Sequence, residues 1–148
     1  MLTLLRVTAI AQIIQGCLDL ASAAMFTAIA VLQGSAEFQQ TLERSPVSNV
    51  LPALFGIFAV VTLATGVLRI AAGILNWQFR GYVISIVAAA SGLIGMVNCY
   101  CIPTSLTVLI LTLVTLLNGQ IREAFDRRAQ GESARDVEQW LSVLGQAR

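Results

Sequence analysis

The chain contains no histidine and no lysine, and all nine of its basic residues are arginine. Charged residues make up only 11% of its 148 residues, against about 25% in an ordinary soluble domain. The absence of histidine removes the commonest general base and the commonest metal ligand. Because so few polar side chains are available to cover a soluble core, the composition excludes a soluble globular protein, a disordered chain and a nucleic-acid-binding protein.

Hydrophobic residues account for 57% of the chain, and the mean hydropathy is +0.80. A membrane helix needs roughly 20 apolar residues. Two apolar stretches exceed this length, and two lie near its lower limit. A turn between the last two is indicated by Asn98, Cys99 to Cys101 and Pro103. The sequence therefore predicts an all-α membrane protein, an up-and-down bundle of four transmembrane helices over residues 2–32, 50–77, 82–97 and 102–117.

The distribution of arginine predicts the topology. If the N-terminus is cytoplasmic, Arg44 is the one arginine of the nine on the outer side, and the other eight are inside. Such an asymmetry follows the positive-inside rule. We therefore expect both termini in the cytoplasm, a transmembrane domain over residues 1–118 and a cytoplasmic helical tail over 119–148. The arginine-only bias is typical of a GC-rich bacterial genome, which places the chain in a bacterial inner membrane.

Asp19 lies near the centre of the first predicted helix, where an ionisable group costs several kcal/mol and normally faces the bundle interior. It belongs to a polar stripe with spacings of 4, 3, 4 and 3: Thr8, Gln12, Gln15, Asp19 and Ser22. The stripe is either a proton, ion or polar-ligand site or a set of interhelical hydrogen bonds, and the second interpretation is favoured. Arg69, on the antiparallel second helix, either pairs with Asp19 or extends to the inner interface.

Small residues predict close helix packing, within one chain or between chains. The second helix carries them on one face: Gly56, Ala59, Thr62, Gly66 and Gly73, with Arg69 on the same face. The third helix carries two small-xxx-small pairs: Ala88 with Gly92, and Ser91 with Gly95.

The tail is predicted to extend the fourth helix through Ile121 and Phe125 until Gly131, and to start a new helix at a capping box of Ser133 and Asp136. That helix carries an apolar stripe of Val137, Trp140, Leu141 and Leu144. The stripe is too short to fold alone. Because the polar face is charge-balanced rather than basic, we expect the stripe to bind a groove of a partner protein rather than lipid.

No catalytic motif is present: the chain has no P-loop, no dinucleotide fingerprint and no nucleophile elbow. Cys99 and Cys101 are expected as small residues at the outer surface, because two thiols without histidine make a weak metal site and their spacing strains a bridge. Cys17 is expected in the core. The sequence therefore predicts no enzyme activity, no cofactor and no metal.

The run Leu-Leu-Asn-Gly-Gln-Ile-Arg-Glu-Ala-Phe over 116–125, together with Trp-Gln-Phe-Arg over 77–80, resembles small bacterial four-helix membrane proteins of uncharacterised function. The resemblance covers the four-helix layout and these two patches. Gly119 departs from it, since such proteins often have proline there. The resemblance implies a fold and no activity.

Two functions follow as hypotheses. The favoured one is a non-catalytic subunit of a membrane complex or a homo-oligomer, with the lipid bilayer and a protein as its partners. The alternative is an ion- or proton-conducting pore or small transporter that uses the polar stripe around Asp19.

The topology predicts a pattern of cysteine accessibility. Cys99 or Cys101 should react with a membrane-impermeant thiol reagent in intact cells, because both lie on the outer side. A cysteine placed at Ser142 should react only after lysis. The reverse pattern would overturn the topology.

Overall fold

The computed structural model describes residues 2–35, 50–95 and 102–146, without the side chains of 93–95, 102, 145 and 146. Helices hold 91% of the described residues, and no strand occurs among them. The helices are α1 (Leu2–Gly34), α2 (Val50–Trp77), α3 (Tyr82–Gly95), α4 (Ile102–Leu116), α5 (Gly119–Ala129) and α6 (Ala134–Gln146).

Two helices, α1 and α2, are long and apolar enough to cross a membrane, and α4 with α5 adds a third if that bent pair is one span. The sequence predicts four crossings. At 1.5 Å per residue, α3 and α4 are about 21 Å and about 22 Å long, against about 30 Å of hydrocarbon. The described chain is therefore a membrane protein with two or three clear candidate spans.

The closest helix approach joins α1 and α2, which run antiparallel. A Cβ added at Gly16 would lie 2.8 Å from the carbonyl oxygen of Gly66, and one at Gly66 would lie 3.0 Å from the oxygen of Gly16. A Cβ at Gly73 would lie 2.8 Å from the oxygen of Ala9. The two backbones touch where both helices lack side chains, so this small-residue face packs within one chain.

Other predicted packing residues have mixed outcomes. Ala59 and Ala88 are buried, and Gly92 packs against the side chain of Arg69. Ser91 is half-buried and donates a hydrogen bond to the carbonyl of its own helix at Ala88. The packing prediction for Gly56 is not met among the described residues, because none of their atoms outside its own stretch of α2 would lie within 4 Å of a Cβ at this position. The surroundings of Gly95 lie outside the described residues.

Large apolar side chains gather at one end of the molecule. This end core consists of buried residues from four helices and the α2–α3 turn: Leu5, Phe79, Leu116, Ile121, Ala124, Phe125, Val137 and Leu141. Along α1 and α2, by contrast, large apolar residues such as Ile14, Leu18 and Val67 are exposed. An apolar exterior along these two helices is typical of a surface that faces lipid.

The α2–α3 turn is a Schellman motif with a phenylalanine in the position that glycine usually takes. The Arg80 amide donates to the Leu75 carbonyl at 2.8 Å, and the Phe79 amide donates to that of Asn76 at 3.1 Å. Phe79 has φ 54°, a conformation that costs an L-residue roughly 1–2 kcal/mol. Burial of its ring in the end core, edge-on to Phe125 with centroids 6.5 Å apart, offsets that cost.

The sequence predicts that the fourth helix continues straight into the tail, and the structure shows that it does not. A bend of 71° separates α4 from α5. Asn118 adopts an extended conformation, and its side chain accepts a hydrogen bond from the Gln120 amide at 3.0 Å. This N-cap starts a new helix, which turns Ile121 and Phe125 into the end core.

The predicted capping box begins α6: the Asp136 amide donates to the Ser133 hydroxyl at 3.2 Å, and that hydroxyl donates to the Asp136 carboxylate at 2.6 Å. The stripe of this helix packs on its own chain rather than on a partner. Val137 and Leu141 are buried in the end core, whereas Trp140 and Leu144 are half-buried. The bend at Asn118 supplies the groove that the sequence assigned to another protein.

The α1–α2 crossing predicts unequal effects of two Gly→Ala changes on α2. Gly66→Ala should lower the free energy of unfolding by about 1–3 kcal/mol, because the new methyl group meets the backbone of α1. Gly56→Ala on the same helix is the matched control and should not destabilise the protein. Unfolding in mixed micelles measures both, and equal effects would contradict the crossing.

Candidate functional site

The polar stripe of α1 faces the interior. Thr8, Gln12, Gln15 and Asp19 are all buried. Ser22, the fifth predicted member, is only half-buried, and its hydroxyl donates to the Leu18 carbonyl of its own helix at 2.9 Å. The helical period thus brings four polar side chains to one face, where they meet polar groups of the other helices.

Asp19 and Arg69 form a buried ion pair. Arg69 Nη1 donates to Asp19 Oδ2 at 2.9 Å, and Gln15 Nε2 donates to Asp19 Oδ1 at 3.2 Å. Arg69 is 3% exposed, so its side chain does not extend to the inner interface. A buried ion pair with an extra hydrogen bond compensates part of the cost of removing two charges from water.

Gly92 of α3 makes room for the guanidinium. A Cβ at that position would overlap Arg69 Nη2. The sequence assigns Gly92 to helix packing, and the structure adds that this glycine receives the arginine of α2 rather than a helix backbone. The ion pair therefore depends on three helices, since α1 supplies the carboxylate, α2 the guanidinium and α3 the gap.

Gln12 links all four apolar helices through hydrogen bonds. Its Nε2 donates to Thr112 Oγ1 on α4 at 3.3 Å, and its Oε1 accepts from Asn76 Nδ2 on α2 at 2.8 Å. Asn76 Oδ1 accepts in turn from the Ser85 hydroxyl on α3 at 2.5 Å. One turn earlier on α1, the Thr8 and Thr115 hydroxyl oxygens are 2.8 Å apart.

We call these nine residues the polar core: Thr8, Gln12, Gln15, Asp19, Arg69, Asn76, Ser85, Thr112 and Thr115. The last four were not predicted from the sequence. Thr112 and Thr115 carry a signal, since they are spaced three residues apart within an apolar helix. Asn76 and Ser85 sit near helix ends, where polar residues are ordinary, and only their positions across the α2–α3 turn identify them.

The chemistry open to the polar core is limited by its own hydrogen bonds. The carboxylate of Asp19 is engaged by two donors, and the side-chain oxygen and nitrogen of Gln12 are both bonded. Among the described residues, no group of three or more histidine, cysteine, aspartate or glutamate side chains could hold a metal ion. The arrangement is suited to holding helices together.

Cys17 is exposed on α1 and not in the core, because it lies on the opposite side of the helix from the inward stripe. Cys99 and Cys101, predicted at the outer surface, fall outside the described residues.

In comparisons with known proteins, no family model, curated protein or solved structure matches this chain.

The ion pair predicts strong coupling between its partners. Arg69→Met should destabilise the protein by about 3–5 kcal/mol, because it leaves the Asp19 carboxylate buried without its counter-charge. Asp19→Leu combined with Arg69→Met should be less destabilising than Arg69→Met alone. Arg135→Met, at an exposed position of α6, controls for the loss of an arginine. Unfolding of these variants and of Asp19→Leu alone in mixed micelles completes the double-mutant cycle, and additive effects would show that the pair is uncoupled.

Proposed function

We propose that this chain is a non-catalytic integral membrane protein that acts as a homo-oligomer in a bacterial inner membrane. In this proposal α1 to α4 cross the bilayer in an up-and-down bundle. Both termini and the helices α5 and α6 lie on the cytoplasmic side. The short helices α3 and α4 cross by local thinning of the bilayer around them.

The polar core supports a non-catalytic role. Its side chains bond to one another across the four helices, so they are used in holding the bundle together. In hydrocarbon an unbonded polar group costs several kcal/mol, which is a sufficient physical reason to keep these residues paired.

Most of the residues that the sequence offered for association are occupied within the chain. Gly66 and Gly73 contact α1, Gly92 contacts Arg69, and Val137 and Leu141 lie in the end core. A surface for a second copy must therefore lie elsewhere on the lipid-facing exterior.

The observation that carries the proposal is a cleft of about 370 Å³ between α1 and α4, lined by Ala11, Ile14, Gln15, Leu18, Pro103, Thr104, Thr107 and Val108. Near Thr8 and Gln12 the two helices are hydrogen-bonded, and the cleft lies between them beyond these bonds. The α1 wall carries Ile14 and Leu18, which are 56% and 44% exposed, and the α4 wall carries smaller threonines.

A surface with projecting side chains beside a hollow is self-complementary. Two copies related by a two-fold axis can each place Ile14 and Leu18 in the other's cleft, which closes the assembly as a dimer. Van der Waals packing of this kind is the main attraction between helices in lipid.

The proposal predicts that the dimer depends on the cleft. In lipid vesicles, Förster transfer between labelled copies should show association that depends on protein density. Leu18→Ala should weaken it by about tenfold through lost packing. Val67→Ala, at an exposed position of α2 outside the cleft, is the matched control and should leave it unchanged. A monomer at every density, or equal effects of the two variants, would overturn the proposal.

One observation favours the alternative of a conducting pore or transporter: Gln15, which bonds to Asp19, also lines the cleft. The same vesicles discriminate between the functions. If wild-type protein carries a proton or ion flux that Asp19→Asn abolishes, the transporter is the correct function. If the flux equals that of empty vesicles, the association role stands.

A further inference from the structure

A second cavity lies at the other end of the molecule, where α2 ends and α3 begins. Its volume is about 520 Å³. Three arginines line it: Arg80 from the α2–α3 turn, and Arg122 and Arg128 from α5. Asp126 is the one acidic residue among its lining residues, so their formal charges sum to +2.

The arginines are held there by two features of the chain. The Schellman motif buries the ring of Phe79 and leaves the next residue, Arg80, exposed at the turn. The bend at Asn118 carries α5 back beneath the same turn, where Tyr82 and Phe125 stack edge-on with centroids 5.7 Å apart. Two segments distant in sequence thus bring their positive charges to one cavity.

These charges are poorly compensated within the protein. In the part of the chain that the structure describes, neither Arg80 nor Arg122 takes part in a salt bridge. Arg128 Nη1 donates to the Glu132 carbonyl at 2.5 Å, but its Nε is buried without a hydrogen-bond partner. Arg80 and Arg122 therefore bring to the cavity positive charge that no described carboxylate neutralises in a salt bridge.

We propose that this cavity binds the phosphate of an anionic phospholipid. Guanidinium groups bind phosphate oxygens through paired, charge-assisted hydrogen bonds. The first turn of α3, at Tyr82 and Val83, also lines the cavity, and the amide groups of a first helical turn have no acceptor within the helix. Phe79, Tyr82 and Phe125 also line the cavity and form an apolar wall beside the arginines.

The position of the cavity selects a lipid over a free phosphate ion. It lies between the ends of two apolar helices, at Trp77 and Tyr82, which is the headgroup level in the membrane orientation proposed above. Basic pockets at the cytoplasmic ends of membrane helices are suited to anionic headgroups. The lipid site is separate from the α1–α4 cleft, so it does not require the dimer.

Native mass spectrometry of the delipidated full-length protein tests the proposal by titration with phosphatidylglycerol, phosphatidylcholine or inorganic phosphate. Phosphatidylglycerol should bind at least tenfold more tightly than phosphatidylcholine. Arg80→Gln and Arg122→Gln should each weaken the binding of phosphatidylglycerol by about fivefold. Asp126→Asn should tighten it, because the one lining carboxylate is neutralised.

Arg135→Gln is the matched control, since Arg135 is exposed on α6 and does not line the cavity. An equal loss in this variant and in Arg80→Gln would show diffuse attraction and overturn the site. Equal binding of the two lipids would also overturn it, as would displacement of phosphatidylglycerol by millimolar inorganic phosphate. Mass spectrometry counts the lipids bound to monomer and to dimer separately. Lipid binding can therefore be measured even if the protein does not dimerise.

Discussion

The structure depends on the pairing of polar groups where no water is available to bond them. Asp19 and Arg69 place two charges in the interior between the helices, and burying either charge without the other would cost several kcal/mol. Their pairing fixes α1 against α2, and the gap at Gly92 fixes α3 beside them. Gln12 then joins α4 through Thr112. The order and orientation of the four helices follow from satisfying these few groups.

The same constraint explains where the apolar side chains lie. Beside the polar core, α1 and α2 meet through glycines and turn Ile14, Leu18 and Val67 outward. Among the residues that the structure describes, large apolar side chains are buried only in the end core, where α5 and α6 pack on the ends of the other helices. Hydrophobic burial drives packing in water and not between helices in lipid, so the two parts of the chain are built on different interactions.

The end core also creates a strongly basic surface. Phe79 accepts a left-handed conformation because its ring is buried, and the turn that results exposes Arg80. The bend at Asn118 brings Arg122 and Arg128 to the same place. Residues that stabilise the fold at this end thus also determine which charges lie together at its surface.

The sequence by itself determined the membrane class, the all-helical fold and the inward direction of Thr8, Gln12, Gln15 and Asp19, because composition and helical period are local properties. It also named Arg69 as a partner. Only the tertiary structure decided that Gly16 faces Gly66, that Asn76 and Ser85 complete the polar core, and that the stripe of α6 packs on its own chain. The physical reason is that these pairings join distant segments, and a polar or small residue does not encode which segment will meet it.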